Sequence, residues 1–340
     1  MITASPSTRQ PQSVRWQHEL ASALTSPDAL IAALGLDPGL IEPARRAARA
    51  FRLQVPLGYV ARMKHGDPND PLLRQVLPLG VELDEVPGYV SDPLGEADAL
   101  RAPGLLHKYQ GRVLLVTTSA CAIHCRYCFR REFPYADQKS DLPRWREALD
   151  VIANDASIEE VILSGGDPLS LSDSRLAALT DALVRIPHVK RLRIHTRQPV
   201  VLPSRVDAGL LEWLGRLPWQ VVMVLHSNHA NEIDASVQDA CAKLRAAGVT
   251  LLNQSVLLRG VNDDEHTLAA LSKRVFAVGV LPYYLFLLDK VRGAAHFHVP
   301  DEAAQRIAGR LAGLLPGYLV PKLAREVHGA PTKVTVPSLI

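Results

Sequence analysis

Three of the four cysteines stand on one short stretch, Cys121-Ala-Ile-His-Cys125-Arg-Tyr-Cys128, at C-x3-C-x2-C spacing. Thiolates this close together are soft ligands, suited to a metal or an iron–sulfur cluster. A four-iron cube has four corners to ligate, so three cysteines leave one iron open to a substrate or cofactor. Such a cluster is reactive rather than a sealed electron carrier. A structural zinc site usually takes four ligands, often as two C-x2-C pairs, and the sequence has no second pair. His124 could complete a zinc set, but it lies inside the loop, where the turn makes simultaneous ligation awkward. A disulfide with a spare thiol suits a secreted chain, and nothing in the sequence suggests secretion. Cys241, within Ala240-Cys-Ala-Lys-Leu, is expected to pack as a small apolar residue.

A second group follows an apolar, β-branched run: Ser164-Gly165-Gly166-Asp167. Paired glycines let the backbone approach a ligand closely and expose its amides and carbonyls. Asp167 could accept a hydrogen bond from an ammonium. Alone, the motif is equally a glycine turn from strand to helix. Further polar groups follow later apolar runs: His195-Thr-Arg197, His226-Ser-Asn-His, Asn253-Gln254-Ser and Asp289.

The elements that must position these groups can be read from periodicity. Strands are expected at Val113–Thr118, Glu160–Leu163, Arg191–His195, Val221–Leu225, Thr250–Val256 and Leu281–Leu287. Amphipathic helical segments lie between them, at about 141–154, 173–186, 207–216, 231–247 and 265–279, with another at 301–314. Alternating strand and helix implies a mostly parallel sheet with helices outside, either open or partly closed into a barrel. Each loaded group then falls at the C-terminal end of a strand, where parallel α/β folds place their active sites. Residues 13–105 read as short helices broken by Pro56, Pro68, Pro71, Pro78, Pro87 and Pro93, an N-terminal helical extension. Residues 1–12, rich in Ser, Thr, Pro and Gln, read as disordered.

The 340 residues suffice for one large α/β domain with an extra segment, and 47% hydrophobic residues can build a core. The net charge of +3 is small and dispersed, with no stripe for nucleic acid. No apolar run reaches membrane-span length, and the first residues lack a signal-peptide core. A cytoplasmic protein is therefore expected.

The three-cysteine loop together with Ser-Gly-Gly-Asp resembles the signature of the radical S-adenosylmethionine (SAM) enzymes. From about Tyr109 to Lys333 the chain resembles one family of them, the lysine 2,3-aminomutases. The likeness is carried by Arg112-Val-Leu-Leu-Val-Thr, Cys125-Arg-Tyr-Cys-Phe-Arg-Arg, Leu163-Ser-Gly-Gly-Asp, Ile186-Pro-His-Val, Pro199-Val-Val-Leu-Pro, Asn253-Gln-Ser-Val-Leu-Leu-Arg-Gly-Val-Asn and Pro282-Tyr-Tyr-Leu. Leu288-Asp-Lys-Val-Arg-Gly-Ala-Ala-His-Phe and Gly317-Tyr-Leu-Val-Pro-Lys-Leu-Ala-Arg-Glu resemble the bacterial branch that serves elongation factor P β-lysylation. The implied fold is a partial (β/α)6 radical SAM barrel over 106–300, with a C-terminal helix and a cofactor-lysine segment over 301–340.

The resemblance implies a [4Fe-4S] cluster on Cys121, Cys125 and Cys128, with SAM on its open iron, and pyridoxal 5'-phosphate (PLP) as a second cofactor. It places Lys333, after Gly329-Ala-Pro-Thr, as the Schiff-base lysine, with Lys108, Tyr109 and Arg112 around PLP. Ser164, Gly165, Gly166, Asp167, His195, Arg197, His226 and Gln254 are implied in cofactor binding. Arg130 would pair with the substrate carboxylate, and Asp289 with Glu326 would take the ε-ammonium of lysine. Glu326 stands where the family usually has Asp. The implied reaction moves nitrogen from C2 to C3 of lysine, and the β-lysine would pass to a ligase acting on elongation factor P. The family's zinc-binding C-terminal extension is missing, so no zinc is expected. A homo-oligomer fits the family, and the electron donor is unspecified. The alternatives are a mutase making free β-lysine or using another amino acid, an iron–sulfur electron carrier, and a zinc module.

Overall fold

In a computed structural model of the chain, residues 15–133 and 142–339 are described. The expected disorder of residues 1–12 lies outside them. One ten-stranded sheet organises the molecule: β1 (Leu100–Ala102), β2 (Leu105–Tyr109), β3 (Arg112–Val116), β4 (Glu160–Ser164), β5 (Arg191–Thr196), β6 (Gln220–His226), β7 (Thr250–Val256), β8 (Leu281–Phe286), β9 (Lys322–Arg325) and β10 (Val334–Thr335). Their spatial order is their chain order, and β1 does not meet β10, so the barrel stays open. From β3 to β9 every pairing is parallel, whereas β1–β2, β2–β3 and β9–β10 are antiparallel. The parallel strands are joined by crossover helices, the solution that parallel pairing demands.

The six strands read from the sequence are β3 to β8. Their composition explains them: Val, Ile and Leu fill β4, all of whose residues are buried, as a strand covered on both faces requires. The crossover helices start where short polar side chains can cap them. Ser172 accepts from Arg175 N, Asp207 from Leu210 N, Asp234 from Val237 N and Asp264 from His266 and Thr267 N.

Two parts differ from the expectation. The sheet begins before residue 106, because Leu100–Tyr109 folds as a hairpin onto β3. It also continues past residue 301: β9 pairs in parallel with β8, with Tyr284 opposite Lys322 and Phe286 opposite Ala324. β1 and β9, of three and four residues, are too short to show a clear alternation, and Leu105-Leu-His-Lys-Tyr of β2 does not alternate.

The N-terminal helices 15–21, 27–33 and 41–50 are not a separate unit. Leu30, Ile31, Leu53, Val55, Leu72 and Leu73 share one continuous core with Val161, Leu192, Ile194 and Met223 of the sheet. Among the described residues, no helix is long and apolar enough to cross a membrane.

Candidate functional site

The C-terminal ends of β3 to β9 open on one face, and the chemically loaded residues gather there. The loop after β3 carries the cysteines. It is zipped to the loop after β4: Thr117 N donates to Ser164 O (2.9 Å), Gly166 N to Thr118 O (2.7 Å) and Asp167 N to Ala120 O (2.7 Å). The two glycines make this approach possible. A Cβ on Gly165 would lie 2.6 Å from Thr118 O, and one on Gly166 2.4 Å from Ala120 O. Gly165 also has φ +127°, open only to glycine. The glycines allow a close approach to the cysteine loop itself.

Asp167 ties two loops together. Its carboxylate accepts from Thr196 Oγ1 (2.7 Å), Arg197 N (2.7 Å), Leu169 N (3.0 Å) and Gln198 N (3.2 Å). These bonds join the loops after β4 and β5.

The N-terminal segment grips the cysteine loop from the other side. Gln54 Nε2 donates to Cys121 O (2.9 Å), His124 N to Gln54 O (2.9 Å) and Arg126 N to Gln75 O (2.9 Å). Buried Arg126 makes a forked pair with buried Glu82 at 2.6–3.1 Å, and Arg131 reaches the same carboxylate at 2.9 Å. His124 turns away from the thiols, its Nδ1 2.9 Å from Arg52 O and its ring stacked on Phe51. Gln54, Gln75 and Glu82 escaped the sequence reading because nothing local marks a glutamine or glutamate 40 to 70 residues upstream as a clamp.

Arg197 and the two histidines lie deeper. Arg197 donates to Cys125 Sγ (2.7 Å), Gln75 Oε1 (2.7 Å) and Glu232 Oε2 (2.8 Å). Tyr127 OH sits 2.9 Å from His226 Nε2 and receives Asn228 Nδ2 at 2.7 Å. Burial, then Arg197, pushes His226 down to about 3. Burial, then Arg193, takes His195 well below its usual range, and its Nε2 is buried without a partner. Both rings are neutral at physiological pH. Gln254 lies beside His226 in the β6–β7 register.

On the far side of the mouth stand Lys333, Glu326 and Asp289. Lys333 Nζ is 2.5 Å from Glu326 Oε1 and lies over the rings of Tyr109 (5.5 Å) and Phe286 (5.3 Å). Lys108 Nζ is 3.7 Å from both Glu326 and Glu96. Arg112 stacks over Tyr109 at 4.8 Å. Burial, then the charge of Glu326, raises the Asp289 carboxyl to about 7. Burial opposes ionisation of Glu326 as well, but Lys333 and Lys108 outweigh it and hold this carboxyl below its ordinary value.

Arg130 is not an open fork. Glu96 takes its Nε and Nη2, each at 2.7 Å, and its Nη1 donates to Ser164 Oγ (3.0 Å) and Gly165 O (3.3 Å). Both members of the pair are only 5% exposed. The bidentate geometry expected for a substrate carboxylate is thus met by Glu96, a residue the sequence reading did not single out.

Cys121, Cys125 and Cys128 are free thiols on one loop, a soft donor set that suits a cluster in which each cysteine takes its own corner. Burial, then a neighbouring thiol, raises Cys128 to about 11, and Cys121 is raised well above its usual range by burial, then Cys128. These sulfurs become thiolates when a cation as strong as iron binds them. Lys333 fits a carbonyl cofactor: it is a lysine held between aromatic faces beside Tyr109, Arg112 and Lys108, which together suit an anionic aromatic ligand. Cys241 is fully buried on the helix 235–246, as expected.

Comparison with known proteins places the chain among relatives. The radical SAM superfamily model matches residues 115–271. The chain is 50% identical to an L-lysine 2,3-aminomutase of Escherichia coli (strain K12), over 94% of this chain and 93% of that one. It is 46% identical to an L-lysine 2,3-aminomutase of Haemophilus influenzae, over 98% of each. It is 35% identical to an L-lysine 2,3-aminomutase of Clostridium subterminale, over 94% of this chain and 77% of the other.

Proposed function

The chain belongs to the lysine 2,3-aminomutase family, isomerases built on a radical SAM domain, and from that premise we propose that it converts α-lysine to β-lysine. The observation that carries the choice of lysine is the arrangement of Asp289, Glu326 and Lys333. Asp289 and Glu326 bring two carboxyl groups to the Lys333 amine at the mouth of the site. A site of this charge prefers a substrate ending in an ammonium over one ending in a carboxylate.

Cys121, Cys125 and Cys128 would hold the cluster, with SAM on its fourth iron, and Lys333 would hold PLP. When bound, the cluster and SAM supply a carbon radical that abstracts hydrogen, and PLP supplies a conjugated system able to share the unpaired electron. The chain's own residues supply position and charge. Glu326 Oε1 lies 2.5 Å from Lys333 Nζ and holds that nitrogen in position for a cofactor carbonyl. His195, neutral and with a free buried ring nitrogen, offers a hydrogen bond without charge. The Tyr109 and Phe286 rings flank the amine at 5.5 and 5.3 Å and shield part of it from water. The product is proposed to serve β-lysylation of elongation factor P through a ligase, in the cytoplasm. The support for this is the sequence from Leu288 to Phe297 and from Gly317 to Glu326.

The test is anaerobic reconstitution followed by an assay of lysine isomerisation and deoxyadenosine formation. Wild type should contain iron, cleave SAM and make β-lysine. Alanine at Cys121, Cys125 or Cys128 should abolish iron binding and SAM cleavage. Lys333→Ala should lose the visible absorbance of bound PLP while keeping the cluster. Wild-type protein that takes up no iron would refute the assignment. An electron donor and a ligase-dependent assay with elongation factor P address the finer claim.

A further inference from the structure

Arg197 is buried at 6% exposure, and each hydrogen bond of its guanidinium goes to a different part of the chain. Nη1 points at Cys125 Sγ (2.7 Å), and Nη2 meets Tyr59 OH (3.2 Å), Gln75 Oε1 (2.7 Å) and Glu232 Oε2 (2.8 Å). The ring faces of Tyr59 and Tyr127 lie 5.6 and 5.9 Å from its central carbon. Glu232 is itself fixed, accepting from Asn228 N (2.7 Å) and His229 N (3.0 Å). The guanidinium cannot turn away from the sulfur without breaking this set.

We propose that Arg197 is a positioning residue that holds a cationic N–H against the sulfur of Cys125 and thereby raises the reduction potential of the cluster. The inference rests on the cluster reading above. A hydrogen bond and a positive charge at a ligand sulfur favour the state with the extra electron, because that state puts more negative charge on the sulfur. Glu232 works in the opposite direction, since its carboxylate partly neutralises the guanidinium in a dry setting. The pair therefore sets how readily one electron enters the cluster. The residue acts through Cys125 and need not touch the substrate.

The test is an anaerobic redox titration of the reconstituted cluster, with dithionite as the reductant and the spin signal of the reduced state as the readout. Arg197→Gln should bind iron to wild-type content. At a fixed potential its ratio of reduced to oxidised cluster should fall about tenfold, which is a midpoint about 59 mV lower for one electron. Arg197→Lys should recover part of that loss, because it keeps charge but lacks the fork. Glu232→Gln should move the midpoint the other way. Equal midpoints in wild type and Arg197→Gln at full iron content would overturn the proposal. If Arg197→Gln fails to hold iron, Arg197→Lys and Glu232→Gln decide: no upward movement in Glu232→Gln overturns it. Failure of wild type to take up iron would instead sink the cluster reading, so the two failures are distinct.

Discussion

At the scale of single residues, Asp289 makes the sharpest prediction. Its carboxyl lies near 7, driven there by burial and then by Glu326, while an unfolded Asp ionises near 3.9. A carboxyl raised on folding retains a proton that the unfolded chain has lost. Its contribution to stability is therefore greatest below about pH 4 and is lost as the pH rises toward 7. Asp289→Asn removes this slope. Melting of the cofactor-free protein should show the variant gaining on wild type from pH 4 to 7, with a constant gap above. Lysine binding has the opposite sign. An ε-ammonium needs an ionised Asp289, so lysine affinity should weaken by up to about tenfold per unit below pH 7. The variant should bind lysine weakly at every pH, with SAM binding unchanged. A lysine KM that stays flat from pH 5.5 to 8 in wild type would remove Asp289 from the substrate pocket.

At the scale of elements, the site depends on two loops interlocking more than on either motif alone. Gly166 has no room for a methyl group, because the carbonyl of Ala120 would lie 2.4 Å from it. That oxygen belongs to backbone and already accepts from Asp167 N, so it cannot swing aside as a side-chain tip could. Gly166→Ala should displace the loop just before Cys121, at a cost of about 1–3 kcal/mol for overpacking. Iron content after reconstitution should fall well before the fold is lost, which separate measurements of iron and of melting temperature can show. Retention of full iron would mean that the β3 and β4 loops are independent. The six central strands and their helices were legible because β-branched runs and capping residues repeat at regular spacing. The hairpin Leu100–Tyr109 and the strand Lys322–Arg325 were not, since β1 and β9 have only three and four residues and Leu105-Leu-His-Lys-Tyr does not alternate. Their place is settled by the neighbours they pair with.

At the scale of the molecule, the N-terminal segment does more than cover a barrel. The cysteine spacing and the glycine motif could be read directly, because ligand geometry imposes a local pattern. The clamp formed by Gln54, Gln75 and Glu82, and the occupation of Arg130 by Glu96, could not, since they join residues 34 to 70 positions apart. Glu82 illustrates what this means energetically. It is 1% exposed and pairs with two guanidinium groups, Arg126 at 0% and Arg131 at 4% exposure, on the same stretch as the three cysteines. Removing one partner of a buried pair leaves a buried uncompensated charge, which costs about 3–5 kcal/mol. Glu82→Gln can still accept one of these hydrogen bonds, so its cost should fall toward the lower end, about 3 kcal/mol. Thermal unfolding of the reconstituted protein should report the loss. The cluster should also become more sensitive to a chelator, because Arg126 lies between Cys125 and Cys128 and Arg131 three residues beyond Cys128. Glu82→Gln combined with Arg126→Met removes one of the two cations, and it should recover more stability than the sum of the single changes allows. If the single and double variants melt together with wild type and lose iron at the same rate, the N-terminal segment is a passive cover and the cysteine loop holds its shape alone.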